Sequence, residues 1–191
     1  MSDLNRAEII RKLSIRNGLI IGGVSVLLSL VFWVVDPLMQ YTNSWVAFGL
    51  FVIVIVLLVI LGMETRKAAG GYWTFAEAFK SLLLTSVIVS IITILFHYIL
   101  NAFIDPTLPQ RAADAIGEKL TDQLSSAGLS QDKIDEMVAA MPAKLAPTLK
   151  NEAVNLGLGL LVYAVIDLII AAIIKKNQPM FVPVEELDPT V

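Results

Sequence analysis

The chain contains no cysteine and only one histidine, His97, among its 191 residues. Without cysteine it can form neither disulfides nor thiolate metal sites, and a single histidine cannot build a metal site from several imidazoles. The lack of cysteine also excludes a catalytic triad based on a thiol. Charged residues are scarce as well, at 16% of the chain. We therefore expect no bound metal, no cofactor and no enzymatic activity.

Hydrophobic residues, in contrast, make up 57% of the sequence, and the mean hydropathy is +0.77. A soluble domain of this composition would expose large apolar patches. About 20 consecutive apolar residues cross a hydrocarbon core of ~30 Å, and we identify four such runs, at residues 18–35, 45–62, 81–104 and 153–174. We predict an all-α membrane protein with four transmembrane helices. They form a single membrane domain over residues 1–176, followed by a mobile cytoplasmic tail over residues 177–191.

The first apolar run follows several basic residues, as the core of a signal peptide would. It is longer than the roughly 7–15 apolar residues of such a core, and Asp36-Pro37-Leu38-Met39 stands where a small-residue cleavage site would be expected. We interpret the run as a retained membrane anchor. Before it, residues 4–15 combine apolar and basic side chains, which favours a short helix on the inner leaflet that turns into the membrane at Asn17-Gly18. The alternative is a solvated extension of the first span.

Basic residues are concentrated on one side of the predicted spans. Nine of them precede the first span, lie between the second and third, or follow the fourth, whereas the connection 36–44 has none. The long segment 105–152 carries five basic and eight acidic residues. Because loops rich in Lys and Arg remain in the cytoplasm, we expect both termini to be cytoplasmic.

The segment between the third and fourth spans is the only sizeable polar part, and it predicts an extracytoplasmic helical hairpin over residues 106–150. Apolar residues recur every four positions from Leu108 to Leu124, which indicates an amphipathic helix of about 18 residues. A second, shorter helix should follow Ser130, a plausible N-cap. The first and third spans should each end at an Asp-Pro pair, Asp36-Pro37 and Asp105-Pro106, because proline disfavours helix in the residue before it. The hairpin is too small for an independent core, so it should pack on itself, on the membrane or on a partner protein.

The stretch GGYWTFAEAFKS, residues 70–81, joins the second and third spans. Gly70 and Gly71 should make a turn, and Thr74 and Glu77 have the spacing of a capping box that starts a helix. The aromatic side chains Trp73, Phe75 and Phe79 suit the lipid headgroup zone, with Lys80 reaching toward phosphate. The spacing of a phosphate-binding glycine loop is absent. We interpret the stretch as a structural loop and not as a binding loop.

Few polar residues lie within the predicted spans. Asp167 is the strongest functional candidate, because a charged carboxylate in hydrocarbon costs ~2.5–3.5 kcal/mol and must face the bundle, become protonated or reach water. His97 lies toward the opposite face, about 13 Å away along the membrane normal, so a His–Asp dyad is disfavoured. The depth of each residue predicts its polar neighbours: Ser25, Ser86 and Ser90 for Asp167, and Ser29 and Tyr163 for His97. The simpler alternative is that both groups are neutral and only help the helices to associate.

Several pieces of the chain resemble a known family. These are LSIRNGLIIGG from Leu13, GYWTFAEAFK from Gly71, FIDP from Phe103 and LIIAAIIKK from Leu168. They are similar to a family of small four-helix membrane proteins of unknown function (domain of unknown function 4199) common in Bacteroidota-type bacteria. The resemblance covers nearly the whole chain up to about Lys176, and it implies an inner-membrane location without any activity or catalytic residue. Asp167 stands where the resemblance implies a small residue such as serine, so it is not carried over as a family site.

We expect a non-enzymatic membrane scaffold or assembly partner. Its partners would be the lipid bilayer, a membrane or periplasmic protein bound through residues 106–150, or a second copy in a homo-oligomer, and no nucleic acid. Small residues on the first span, Gly18, Gly22, Ser25 and Ser29, and on the fourth, Gly157 and Ala164, should allow close helix packing. The alternative function is a small proton-coupled transporter or channel subunit that uses Asp167. A water-filled cavity between Asp167 and either membrane face would favour that alternative.

Overall fold

Eight α-helices account for most of residues 3–177, the part of the chain that this computed structural model describes. Of the predicted mobile tail, residues 178–191 lie outside the described part. In chain order the helices are α1 (Asp3–Val35), α2 (Met39–Thr42), α3 (Ser44–Ala68), α4 (Phe75–Ile99), α5 (Leu108–Ser126), α6 (Gln131–Ala139), α7 (Met141–Leu145) and α8 (Leu149–Ile174). A π-helical turn, Leu100–Ile104, continues α4.

Four helical segments are long and apolar enough to cross a membrane: Asn5–Val35, Ser44–Ala68, Phe75–Ile104 and Leu149–Ile174. Each contains one of the predicted spans and extends beyond it. The chain is therefore an all-α, multi-pass membrane protein, as predicted.

The predicted break at Asn17-Gly18 is wrong, because α1 runs through it as one continuous helix. The side chain of Asn17 donates hydrogen bonds to the carbonyl of Leu61 and the hydroxyl of Thr65 on α3, at 3.2 and 3.0 Å. A Cβ atom on Gly18 would lie 2.7 Å from Cβ of Ile88 on α4. The N-terminal part of α1 is thus the helical extension of the first span that the alternative describes, with several exposed residues, and at Asn17 and Gly18 the helix is held against α3 and α4.

Close packing through small residues occurs between α1 and α4. In addition to Gly18, a Cβ atom on Gly22 would lie 2.7 Å from Cδ1 of Ile92. The same prediction fails for Gly157 on α8, which has no atom within 4 Å of the position of an added Cβ. The narrow approach is therefore a property of the α1–α4 pair.

Both Asp-Pro pairs end a helix, as predicted. α1 stops at Val35, and the π-helical turn after α4 stops at Ile104. The amide of Asp105 still donates to the carbonyl of Leu100 at 2.8 Å, but the following proline has no N–H to continue the pattern.

α4 contacts α1, α3 and α8 and is the central helix of the bundle. Since the chain crosses the bundle four times, both ends of the described chain lie on one side. We name that side the terminal end, formed by the start of α1, residues 69–77 and residues 174–177. The opposite side is the hairpin end, formed by residues 36–43 and 105–148.

The polar segment at the hairpin end folds as two helices, α5 and α6, followed by the short α7, which had not been predicted. Ile134 of α6 is fully buried, and a Cβ atom on Gly117 of α5 would lie 2.9 Å from Val138. Ser130 precedes α6, but its side chain makes no capping hydrogen bond. The hairpin also contacts α2, where the Lys119 ammonium donates to the carbonyl of Thr42. It therefore packs on itself and on the connection between α1 and α3.

Candidate functional site

Asp167 lies inside the bundle and is completely shielded from solvent. Its position follows from the buried stripe of α8, in which Asp167, Ile170, Ala171 and Ile174 are spaced three and four residues apart. This stripe packs against α4. The sequence prediction that the carboxyl faces the bundle is therefore correct.

The polar atoms around Asp167 are incompletely paired. The Ser86 side chain is directed to the carboxyl, yet neither carboxyl oxygen completes a hydrogen bond within residues 3–177. The hydroxyls of Ser86 and of Ser90, one turn further along α4, are buried and also lack a partner there. Two helices thus place four unpaired oxygen atoms in the interior, which is unusual because buried polar groups are nearly always hydrogen-bonded.

Ser25, the third serine predicted near Asp167, is used differently. Its hydroxyl donates to the carbonyl of Ile21 at 2.9 Å on its own helix. It lines a cavity of about 160 Å³ together with Ser29, Thr93 and Tyr163. The depth of a residue in the membrane does not determine which way its side chain points around the helix.

His97 is separate from Asp167, as predicted. It follows Ser86 by 11 residues on α4, which is about 16 Å along the helix. It lines a cavity of about 560 Å³ at the hairpin end whose polar residues include Gln40, Asn101 and Glu152. The described hydrogen bonds include none from its ring to Ser29 or Tyr163. The Ser29 hydroxyl donates to the side-chain oxygen of Gln40 at 3.4 Å, and the side-chain amide of Gln40 donates to the Ser29 carbonyl at 3.1 Å.

The loop at the terminal end has the predicted turn and cap. Gly70 and Gly71 have φ of +97° and +82°, values that side chains rarely tolerate. The amide of Glu77 donates to the Thr74 hydroxyl at 3.3 Å, and the amide of Thr74 donates to the Glu77 carboxylate at 2.9 Å. The capping box is complete and explains why α4 begins at Phe75.

Arg6 is the central residue of the terminal end. The charge pattern of the sequence does not distinguish it from the other eight basic residues on that side. Its guanidinium contacts the Glu77 carboxylate at 3.0 Å and donates to the carbonyls of Ala69 and Tyr72, both at 2.5 Å. One side chain thereby joins the start of α1, the loop and the cap of α4. We name Arg6, Ala69, Tyr72 and Glu77 the Arg6 cluster.

The prediction that the Trp73 side chain lies in the lipid headgroup zone is wrong. Its side chain is fully buried, next to Gly62 of α3. Its backbone pairs with Lys176 in two hydrogen bonds of 2.7 and 2.8 Å, so the end of α8 covers the loop. Phe75, in contrast, is 39% exposed and stacks on Phe79, as an interfacial pair would.

A cavity of about 460 Å³ adjoins the Arg6 cluster, lined also by Thr74, Lys176 and Asn177. The Arg6 guanidinium already has its partners, so the cavity does not offer it to an anion. Within residues 3–177 no three His, Asp or Glu side chains come together as a metal site would require. The loop is consistent with a structural role, and Asp167 remains the candidate for chemistry.

Comparison with known proteins gives a family without an activity. Residues 16–176 match a family described as "Protein of unknown function (DUF4199)". The match includes the four spans, the loop at the terminal end and Asp167, and it begins after Arg6. No significant match was found among curated proteins or among solved structures. With most of its length matched, the chain belongs to the DUF4199 family of proteins of unknown function.

Proposed function

We propose that this protein is a non-enzymatic scaffold of the bacterial inner membrane that presents its α5–α6 hairpin to a partner protein. The terminal end would face the cytoplasm, because nine basic residues lie in or next to it. The hairpin would face the periplasm.

The observation that carries this proposal is a contrast. Hydrogen bonds hold the helices together at the terminal end, whereas Asp167 is not reached by the described cavities. The Arg6 cluster, the Trp73–Lys176 pair and the bond from Arg66 to the carbonyl of Ile174, at 2.7 Å, join α1, α3, α4 and α8 at that end. The five cavities described for residues 3–177 do not include Asp167 in their lining. A bundle of this kind suits a static role better than a transport role, because transport would need water to reach the carboxyl.

The hairpin supplies the surface for a partner. Most of α6 is exposed, including Asp132, Asp135 and Glu136, and Met137 is a 41% exposed apolar side chain among them. An apolar side chain with charged neighbours is a typical element of a protein interface.

The orientation can be tested by cysteine labelling, since the natural chain has no cysteine. Ala68→Cys reports on the terminal end and Ser126→Cys on the hairpin, and both positions are exposed. Ala69 is unsuitable because it is only 1% exposed. We expect a membrane-impermeant thiol reagent added from the periplasmic side to label Ser126→Cys alone. Labelling of both variants from that side would contradict the orientation.

The scaffold role can be tested by photo-crosslinking in native membranes. A photoreactive residue at Met137 should give a discrete adduct with one partner, whereas one at Val162 of α8, which is 53% exposed, should give none. An adduct of twice the monomer mass at Met137 would identify the partner as a second copy of the chain. No adduct at Met137 or at neighbouring exposed positions of α6 would contradict the proposal.

A proton-coupled transporter or channel subunit is the second candidate, favoured by the unpaired oxygens of Asp167, Ser86 and Ser90. Asp167→Asn keeps the size of the side chain but cannot bind and release a proton. If the scaffold proposal is right, this variant has normal abundance and complements a deletion strain. If it has normal abundance and behaves like the deletion, the transport function replaces the scaffold. Ser86→Ala is the control for loss of a neighbouring hydroxyl without loss of the titratable group.

A further inference from the structure

A groove runs between α1 and α4 at the terminal end, next to the cavity beside the Arg6 cluster, with which it shares Ala7 and Glu77. Its volume is about 260 Å³, and its lining is mainly apolar. The residues that line it are Ala7, Ile10, Arg11, Ser14, Glu77, Lys80, Ser81 and Leu84. We name it the α1–α4 groove.

Two polar contacts bound the groove along the helix axes. At the outer limit, Arg6 pairs with Glu77 at 3.0 Å. At the inner limit, the hydroxyls of Ser14 and Ser81 are hydrogen-bonded at 2.6 Å and almost completely buried. The polar groups at both limits therefore have partners, and the surface between them is left to apolar contacts.

The rims of the groove carry one basic residue from each helix, Arg11 and Lys80. Both are exposed, and neither completes a salt bridge with any residue that the structure describes. Glu77, the acid in the lining, is already neutralised by Arg6. The groove thus combines an apolar interior with two available positive charges.

The position of the groove matches the boundary of the membrane. Lys80 directly precedes the third predicted span, and Phe75 and Phe79, stacked with a centroid distance of 6.4 Å, lie within about one and a half turns on α4. Aromatic and basic side chains at a span end are typical of the headgroup level. Basic pockets between transmembrane helices bind the headgroups of anionic lipids.

We propose that the α1–α4 groove binds one anionic phospholipid. Arg11 and Lys80 contact its phosphate, and Ile10 and Leu84 contact the start of an acyl chain. The lipid fits this groove better than free phosphate does, because free phosphate would leave the apolar lining exposed. The inference holds for a scaffold and for a transporter alike.

The test uses the full chain in mild detergent, with phosphatidylglycerol or phosphatidylcholine added and bound lipid counted by native mass spectrometry. We expect the protein to retain one phosphatidylglycerol in preference to phosphatidylcholine. Each basic residue near an anionic surface contributes about a fivefold change in affinity, so Arg11→Ala combined with Lys80→Ala should weaken retention by about 25-fold. Lys12→Ala combined with Lys67→Ala has the same net charge, lies at the same end and does not line the groove. This control should retain the lipid.

A third variant tests the apolar part. Ala7→Phe fills the groove without a change in charge and should also reduce retention of phosphatidylglycerol. Equal retention of both lipids by the natural chain, or equal loss in the Lys12/Lys67 control, would overturn the proposal. Displacement of the bound lipid by millimolar inorganic phosphate would reassign the site to an anion.

Discussion

The two ends of the bundle are held together by different kinds of contact. At the terminal end, hydrogen bonds join residues far apart in sequence: Arg6 to Glu77, Ser14 to Ser81, and Trp73 to Lys176. At the hairpin end most side-chain bonds are local, such as Gln110 to Asp114 and Gln131 to Asp135, four residues apart. The bond from Lys119 to Thr42 is an exception.

This difference indicates where the fold is fixed and where it can adapt. Long-range contacts determine how the helices assemble, because each closes a large loop that only the folded chain can close. Local bonds stabilise a helix without fixing its neighbours. Substitutions at the terminal end should therefore destabilise the whole bundle, and those at the hairpin end should remain local.

Trp73→Ala should have the largest effect. Trp73 is fully buried, and removal of a buried tryptophan side chain costs about 3–5 kcal/mol. Unfolding followed by circular dichroism in detergent should show the loss. Trp45→Ala is the matched control, because Trp45 is 81% exposed. Equal losses for the two variants would contradict the assignment of Trp73 to the core. Trp73→Phe should cost less than Trp73→Ala, since the indole N–H has no described partner.

Arg6→Ala should rank second. It removes charge-assisted bonds to Glu77 and to two carbonyls, and such bonds contribute about 1.5–3 kcal/mol. Arg6→Lys should recover only part of the loss, because an ammonium cannot reproduce the planar set of donors. Lys12→Ala, an exposed pair with Glu8 on the same helix, should leave the unfolding free energy unchanged. If Lys restores full stability at position 6, the geometry of the cluster is unimportant.

Features that depend on neighbouring residues could be predicted from the sequence. The four spans follow from hydropathy, the ends of α1 and of the π-helical turn after α4 follow from Asp-Pro, and the start of α4 follows from Thr74 and Glu77. Each of these results is decided within a few residues by backbone sterics or by partition into lipid.

Features that depend on distant partners could not be predicted. Arg6 and Glu77 are 71 residues apart, and one basic residue among nine carries no mark of its partner. Trp73 has the same sequence context as an interfacial aromatic, and what buries its side chain is packing in the bundle core next to Gly62 of α3, 11 residues earlier in the chain. For Asp167 a signal was present in its own charge, because a carboxyl is costly in hydrocarbon and is therefore expected to face the bundle. For Ser25, depth in the membrane alone was insufficient to predict the hydrogen-bond partner of the hydroxyl.

Thr74→Ala should destabilise the fold moderately, and by more than the equivalent substitution at the hairpin end, Thr148→Ala. Loss of an N-cap costs about 0.5–2 kcal/mol. Thr148 caps α8 at the hairpin end by accepting from Asn151 at 3.2 Å, but without the reciprocal carboxylate of a capping box. Thr74→Ala should therefore be more costly than Thr148→Ala in the same unfolding assay, and serine at either position should restore most of the loss. The reverse order would show that the hairpin end is the more cooperative one.

Arg111→Ala at the hairpin end should have the smallest effect, and it should depend on pH. Partial burial opposes ionisation, but hydrogen bonds from Thr107 and Arg111 outweigh it and lower the pKa of Asp105 below its usual value of 3.8. A carboxyl with a lowered pKa contributes stability above its unfolded-state pKa, and loses it as the pH falls through the folded-state value.

Because Arg111 is 44% exposed, the substitution should cost at most about 1 kcal/mol at pH 7. The difference between Arg111→Ala and the natural chain should begin to shrink below pH 3.8, where the unfolded chain binds a proton at Asp105, and should vanish once the pH falls below the lowered folded-state pKa of Asp105. Lys133→Ala on α6, which forms no described salt bridge, should show no such pH dependence. A loss at pH 7 as large as that of Arg6→Ala would mean that the hairpin end is tied to the bundle as firmly as the terminal end.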